Sequence, residues 1–239
     1  MTVHPSALVD PGASVAGDAE IGPFCVVGEG VRIGSGCRLG PRVSIYGPVV
    51  VGRGNHIGSC VTIGKPGGGR IEIGDGNHFR DFFHVDAAAG ATTRIGSRSR
   101  FGTWSGVNSG SAIGNDVRLG AYSVVEENVR VEDQAWIEPQ VVVDANRRVG
   151  RGSLIRIQMP VFADVPPYMC LDGNPAEIRS VNPHRRNHLL DIAFEIVYKS
   201  GLTFPDAVKK LLETPAPSPE VAALADFLTE AGPPEAALE

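Results

Sequence analysis

Aromatic residues are scarce in this sequence. They make up 6% of 239 residues, so the interior cannot be the wide, ring-filled core of an ordinary domain. Cysteine is scarce too. Cys25, Cys37, Cys60 and Cys170 form no CxxC pair and no zinc spacing, which excludes a disulfide scaffold and a zinc module. They read as reduced thiols, the first three as small apolar fillers, in a protein expected to be cytoplasmic. No apolar run reaches 18 residues and no signal peptide is evident, so membrane insertion is not expected. Positive charge is in deficit: 22 Lys and Arg stand against 27 Asp and Glu, net −5. That argues against nucleic-acid binding.

What is abundant is a beat. An aliphatic residue recurs every six positions from Val3, Val9, Val15 and Ile21 to Ile63. The phase slips across Lys65-Pro66-Gly67-Gly68-Gly69-Arg70, resumes at Ile73, Phe79 and Val85, and slips again across residues 87–94. From Ile95 it runs unbroken to Val161. A short fixed period of this length is the mark of a β-solenoid. Six residues make one short strand and a turn, and three such units close a triangular coil of 18 residues. The aliphatic side chain points inward, and the 30 Gly of the chain supply turns and crowded corners. Beyond residue 180 the period becomes helical. Leu189, Leu190, Ala193, Ile196 and Val197 form one stripe before Ser200-Gly201. Phe204 to Leu212 and Glu220 to Leu228 follow, separated by the breaker from Pro215 to Pro219. The expected division is a β-helix over 1–180 and a helical domain over 181–239.

The most informative stretch is 85–145. Allowing for the insert, Val85, Val107, Val125 and Val143 fall on one corner of successive coils. The residues after them, Asp86, Asn108, Glu126 and Asp144, should form a column with rungs about 4.8 Å apart. Ser109, Glu127 and Asn128 lie beside it. Stacked carboxylates repel, so the column is expected to raise a pKa, hold a cation or recruit a basic partner. Any of these can poise a general base. His84 is the nearby imidazole. His56, His78 and His84 lack the spacing of a three-histidine zinc site, and no metal is expected. The Gly-rich insert is not a Walker loop, since no GKS or GKT follows.

The hexads, Ile21-Gly22-Pro23-Phe24, Asp164-Val165-Pro166-Pro167-Tyr168, Gly173-Asn174, Val181-Asn182 and Ile196-Val197-Tyr198-Lys199-Ser200-Gly201 together resemble the UDP-N-acetylglucosamine O-acyltransferases that begin lipid A synthesis. The resemblance spans essentially the whole chain. It implies a left-handed β-helix, a homotrimer with active sites between subunits, and an acyl chain delivered by acyl carrier protein, with a coenzyme A thioester as the other possible donor. The acceptor would be a nucleotide-linked sugar or another small polar molecule, and no free cofactor is implied.

The resemblance also implies a catalytic His–Asp pair, and here those positions are Ser109 and Gly110. A nearby family histidine falls at Gly106, and others at Asp86, Asn128 and Asp144. The candidates for a relocated base are therefore His84 and Asp144, with Ser109, Asn108 or Asn128 as hydrogen-bond donors and Asp86, Glu126 and Glu127 in support. Lys65 and Arg70 stand in for the shortened sugar-phosphate loop. Asn182 matches a family position near the nucleotide, and Arg185 and Arg186 its basic pair. The alternatives are a non-catalytic relative that keeps the trimer and cleft, and cation-assisted chemistry in the carboxylate column.

Overall fold

The computed structural model describes residues 2–213 and 218–231. The Pro215–Pro217 part of the expected breaker lies outside them. The chain winds as a left-handed β-helix of about nine coils, the exception to the usual right-handed crossover. Most strands are only two residues long, and each pairs in parallel with the strand one coil away. Three sheets result. The first has 11 strands and begins at Thr2–Val3; the second has 9 and begins at Leu8–Val9; the third has 8 and begins at Ser14–Val15. The chain visits them in that order, so each coil has a first/second, a second/third and a third/first corner.

The beat is the reason. In each two-residue strand one side chain points outward and the next inward. The inward residues from Ile21 to Val161 are buried and form a single core. The Gly-rich insert, which lengthens the coil by a net four residues, leaves the stack in register because Arg70–Ile73 still pairs with Val49–Val51 below and Thr92–Ile95 above. The chain thus bulges sideways without losing a rung.

Corners are filled by small buried residues two positions before each inward aliphatic, among them Cys25 and Cys37. Cys60 does not belong with them. It sits in a turn with φ of +57° and is half-buried, because it comes three residues after Ile57 rather than two before the next inward side chain. At the third/first corner several fillers are polar, Asn55, Asn77, Ser99 and Ser153. Asn77 donates from its backbone and its side chain to Asn55 Oδ1, both at 3.0 Å, and donates to the Gly96 carbonyl at 2.9 Å. Its own Oδ1 accepts from the Ser99 amide at 2.8 Å. The buried amides therefore satisfy one another along the stack, as buried polar groups must.

The solenoid ends in a hairpin, Met169–Asp172 against Glu177–Val181. Helix α1 (His188–Phe194), a π-helical turn (Glu195–Lys199), α2 (Phe204–Leu212) and α3 (Pro219–Ala231) follow. Asn187 caps α1 by accepting from the Leu190 amide, and Thr203 caps α2. The helices share a second core with Met169 and Val181. The expected stripe is corrected at one position: Leu189 is exposed, and Phe194 takes its place in the core beside Leu190 and Ala193. The π turn adds a residue to the turn, and Ile196 and Val197 end half-buried.

Asn77→Ala would leave the Ser99 N–H buried without its acceptor and would remove the side-chain donor to Asn55 Oδ1, which keeps only the backbone amide of residue 77. The expected loss is about 3 kcal/mol, read as a lower urea midpoint at unchanged m-value.

Candidate active site

Val85, Val107, Val125 and Val143 occupy consecutive strands of the second sheet and are paired residue for residue. Asp86, Asn108, Glu126 and Asp144 therefore leave the second/third corner one above another. The structure relieves their repulsion by pairing them differently. Asp86 accepts from Lys65 Nζ at 2.7 Å. Asn108 Nδ2 donates to Glu126 Oε2 at 2.8 Å. Asp144 accepts from the Ala145 amide at 2.9 Å. So one carboxylate has a cation, one an amide, and one is open to solvent. Glu127 is exposed beside them. Asn128 takes φ of +58° on the turn, where its Nδ2 lies 3.4 Å from Asn146 Oδ1.

The second insert, residues 87–94, is stitched to this corner from inside. Thr93 is fully buried; its hydroxyl donates to the Asp86 carbonyl at 2.7 Å and accepts from the Gly110 amide at 3.0 Å. Ser109 Oγ accepts from the Ala88 amide at 2.8 Å. Ser109 thus holds the insert with one lone pair and keeps its proton to give.

His84 stands outward on the second sheet, opposite Gly106 on the next rung. Its ring leans over that glycine: a Cβ built on Gly106 would lie 2.1 Å from Cε1 and 2.3 Å from Nε2 of His84. The imidazole occupies space that any side chain at 106 would need, beside the Asn108 rung. Asp144 lies two rungs further on, about 10 Å along the stack. The structure therefore separates the two candidate bases and gives them different neighbours.

Comparison with known proteins bears on this arrangement. The bacterial transferase hexapeptide model (six repeats) matches residues 30–65, and the model for domain 2 of UDP-N-acetylglucosamine O-acyltransferase matches residues 164–233. The acyl-[acyl-carrier-protein]–UDP-N-acetylglucosamine O-acyltransferase of Stutzerimonas stutzeri is 32% identical over 246 residues, covering 95% of both chains. The chain belongs to the UDP-N-acetylglucosamine O-acyltransferase family. The Pseudomonas aeruginosa PAO1 relative of the same name is also 32% identical, over 96% of each chain. The UDP-N-acetylglucosamine acyltransferase of Francisella novicida has the same fold, with a TM-score of 0.89, 22% identity and coverage of 97% of this chain and 92% of that one.

As a member of this family the chain departs at the two positions where a His–Asp pair is expected, and the geometry there is specific. Ser109 is committed to the insert. Gly110 has φ of +77°, and a Cβ on it would lie 2.3 Å from Asn128 Oδ1. The Asn128 amide thus covers the place where a side chain at 110 would begin.

Other expected site residues are dispersed or engaged. Lys65 and Arg70 do not converge. Lys65 joins the column at Asp86, whereas Arg70 pairs with Glu72 on the third sheet, where Arg94 pairs with it as well. Asn182 is 2% exposed. Its amide donates to the Gly152 carbonyl at 2.8 Å and its Oδ1 accepts from the His184 amide at 3.0 Å. Both bonds fix the backbone of the segment that follows the hairpin. Arg186 is held by both oxygens of Asp191 at 2.8 and 2.9 Å. Arg185 is exposed and makes no ion pair among the described residues.

One group was not anticipated. His56, His78, Arg100, Arg118 and Trp136 form an outward column on the first sheet and line a groove of about 670 Å³. The His56 and His78 rings stack at 4.7 Å. Arg118 lies over Trp136 at 4.9 Å, and Trp136 stacks on His184, which joins this face to the Asn182 segment. The signal was present as basic residues 22 and 18 positions apart, the same spacings that revealed the carboxylates. Burial, then the neighbouring His56 and Arg100, hold the His78 imidazole below the usual histidine value.

Two outcomes are expected. Gly106→Ala should swing the His84 ring aside, seen as a moved His84 Hε1 resonance, with the fold intact because the ring is exposed. His78, with its folded pKa depressed, charges more readily when unfolded. Stability should therefore decline as pH falls below about 6.5 and through the folded value, and His78→Gln should flatten that part of the pH–stability curve.

Proposed function

We propose that this protein transfers an acyl group from an acyl carrier protein thioester to a nucleotide-linked sugar, with His84 as the general base. The observation that carries the reading is the His84 imidazole lying over Gly106, a position where the family resemblance calls for a histidine side chain. An imidazole is supplied to that space from the rung below. The relatives' names, acyl-[acyl-carrier-protein]–UDP-N-acetylglucosamine O-acyltransferase, support the donor and acceptor classes.

The chemistry follows from the residues. His84 Nε2 takes the proton of the acceptor O–H or N–H as that atom attacks the thioester carbonyl. The Ser109 hydroxyl still has its proton to give and is the candidate donor to the oxygen on which charge develops. When the carbonyl re-forms, the C–S bond breaks and the imidazolium returns the proton to the departing thiolate. No redox or metal step is needed for this balance. Asn108 and Glu126, already hydrogen-bonded, orient the acceptor's hydroxyls, and Asp144 acts further along the cleft. An amine acceptor would need less help from the base than a hydroxyl. Arg185 is the candidate cation for the acceptor's phosphates. The outward column of the second sheet, from Leu8 through Thr62 and Val124 to Pro160, carries no Asp, Glu, Lys or Arg. A strand face so poor in charge supports the homotrimer in which such a site would lie between copies.

A second reading has its own observation. Ser109 and Gly110 replace the expected catalytic pair, as in a relative that binds ligands without turning them over.

The test is release of free thiol from a panel of acyl-acyl carrier proteins, with UDP-sugars and amino-sugar nucleotides as acceptors. Acceptor-dependent release is expected, and His84→Ala should lower kcat by about 10²–10⁴-fold. Asp144→Asn should cost less than about tenfold by the same measure. An unchanged kcat in His84→Ala removes His84 from the role. Tight binding with no release from any pair favours the non-catalytic reading.

A further inference from the structure

Many arginines of this protein have a carboxylate. Arg94, Arg98, Arg148 and Arg156 each lie within 3.1 Å of an Asp or Glu oxygen. Arg80, Arg100 and Arg118 do not. Among the described residues they make neither an ion pair nor a side-chain hydrogen bond, and all three line the groove of about 670 Å³ on the first sheet. The outward column there, from Arg38 through His78 and Arg118 to Trp136, carries no acid. Asp81 is the acid of the groove lining, and its Oδ1 is turned to the Ser59 amide at 2.7 Å. In a chain of net charge −5, this recess is a local excess of positive charge.

The stacking of coils sets the geometry. Arg100 and Arg118 stand on adjacent rungs, about 4.8 Å apart along the stack. Arg80 follows the inward Phe79 and lines the groove from the opposite wall. On the next two coils the position of Arg80 is taken by Gly102 and Gly120. A Cβ on Gly102 would lie 2.3 Å from the Ala121 nitrogen, and one on Gly120 would lie 2.4 Å from the Pro139 nitrogen. The following coil therefore forbids a side chain at both places, and the floor between the walls is bare backbone.

The cations are also preorganised. Trp136 closes one end of the groove, with the Arg118 guanidinium over its ring at 4.9 Å and His184 stacked on it. A guanidinium laid on a ring uses its face and leaves its N–H edge free. His78 stands one rung before Arg100 and stacks on His56, which fixes its plane. A neutral imidazole can donate one hydrogen bond from that position.

We infer that this groove binds a divalent oxyanion, the phosphate of a small phosphate monoester, between Arg100 and Arg118, with Arg80 on the opposite wall and His78 as a further donor. Guanidinium edges match the spacing of phosphate oxygens, and charge-assisted bonds of this kind are the strong ones. Three fixed positive charges exceed what one carboxylate neutralises, and a dianion fits them better. Cations on two walls of a recess enclose a small group, whereas an acidic protein surface would need them on an open plane. The His84 site lies round the first/second corner, on the second sheet, and the inference does not rest on the acyl transfer proposed above.

The test is direct binding to the full chain. Inorganic phosphate, methyl phosphate and acetate are titrated at low ionic strength, followed by calorimetry and by the His78 Hε1 resonance. Both phosphates should bind saturably, with acetate at least about tenfold weaker. Arg100→Gln and Arg118→Gln should each weaken methyl phosphate at least about tenfold, whereas Arg94→Gln on the third sheet should change it less than about twofold. Far-ultraviolet dichroism should stay unchanged in all three, because these side chains are exposed. A dianion beside Arg100 and His78 favours the imidazolium, so saturating methyl phosphate should move the His78 titration to higher pH. That movement should be absent in Arg118→Gln at the same concentration. No saturable binding, an equal loss in Arg94→Gln, acetate as tight as phosphate, or binding that leaves His78 unmoved would overturn the inference. So would an apo acyl carrier protein that binds through Arg118 while no small oxyanion does. Methyl phosphate bound here by a protein that releases no thiol would leave this site standing and sink the acyl transfer alone.

Discussion

The rest of the structure depends on in-register stacking of parallel two-residue strands. Each inward aliphatic closes the interior of its own coil and lies directly above its equivalent in the coil below. Residues 18 positions apart, or 22 across an insert, therefore become neighbours about 4.8 Å apart. Every outward choice is repeated along a line, and a single residue type becomes a column.

Columns carry electrostatic consequences that isolated residues do not. At the second/third corner four successive coils present Asp86, Asn108, Glu126 and Asp144. The fold tolerates them by giving Asp86 a lysine from the insert and Glu126 an amide from the rung below. On the third sheet arginines are paired with acids, Arg94 with Glu72 and Arg130 and Arg148 with Glu132. On the first sheet Arg100 and Arg118 are not, and that imbalance is visible only when both columns are placed on one solid. The same repetition acts on the backbone. Most corners hold a left-handed residue, glycine or asparagine along the second/third edge and Phe24, Arg42, Cys60, Phe82, Trp104, Tyr122, Gln140 and Gln158 along the first/second edge.

The chemistry of the site follows from the same geometry. A residue type can be moved by one rung and still fill nearly the same space if the rung above has no side chain. Gly106 leaves that room, and the His84 ring leans into it. Ser109, freed from proton transfer, takes a structural task by holding the insert at Ala88.

The six-residue beat was legible in the sequence because the inward position tolerates only aliphatic or similarly shaped residues, with Phe79 and Phe101 the exceptions, and because two inserts shift the phase without destroying it. The carboxylate column followed by arithmetic from Val85, Val107, Val125 and Val143. The family was legible from the exit and tail motifs. Side-chain commitments were not: that Asn182 turns inward to Gly152, that Arg70 leaves Lys65 for the third sheet, and that Cys60 sits in a turn all depend on which atoms lie within hydrogen-bonding or packing distance. The pairing of His84 with Gly106 belongs here too, since it joins residues 22 positions apart through a strand contact. By itself the sequence determined the solenoid, because periodicity is a local property of the chain. Only the tertiary structure decided which polar groups are engaged and which remain available, because that depends on distances between residues that periodicity brings near but does not orient.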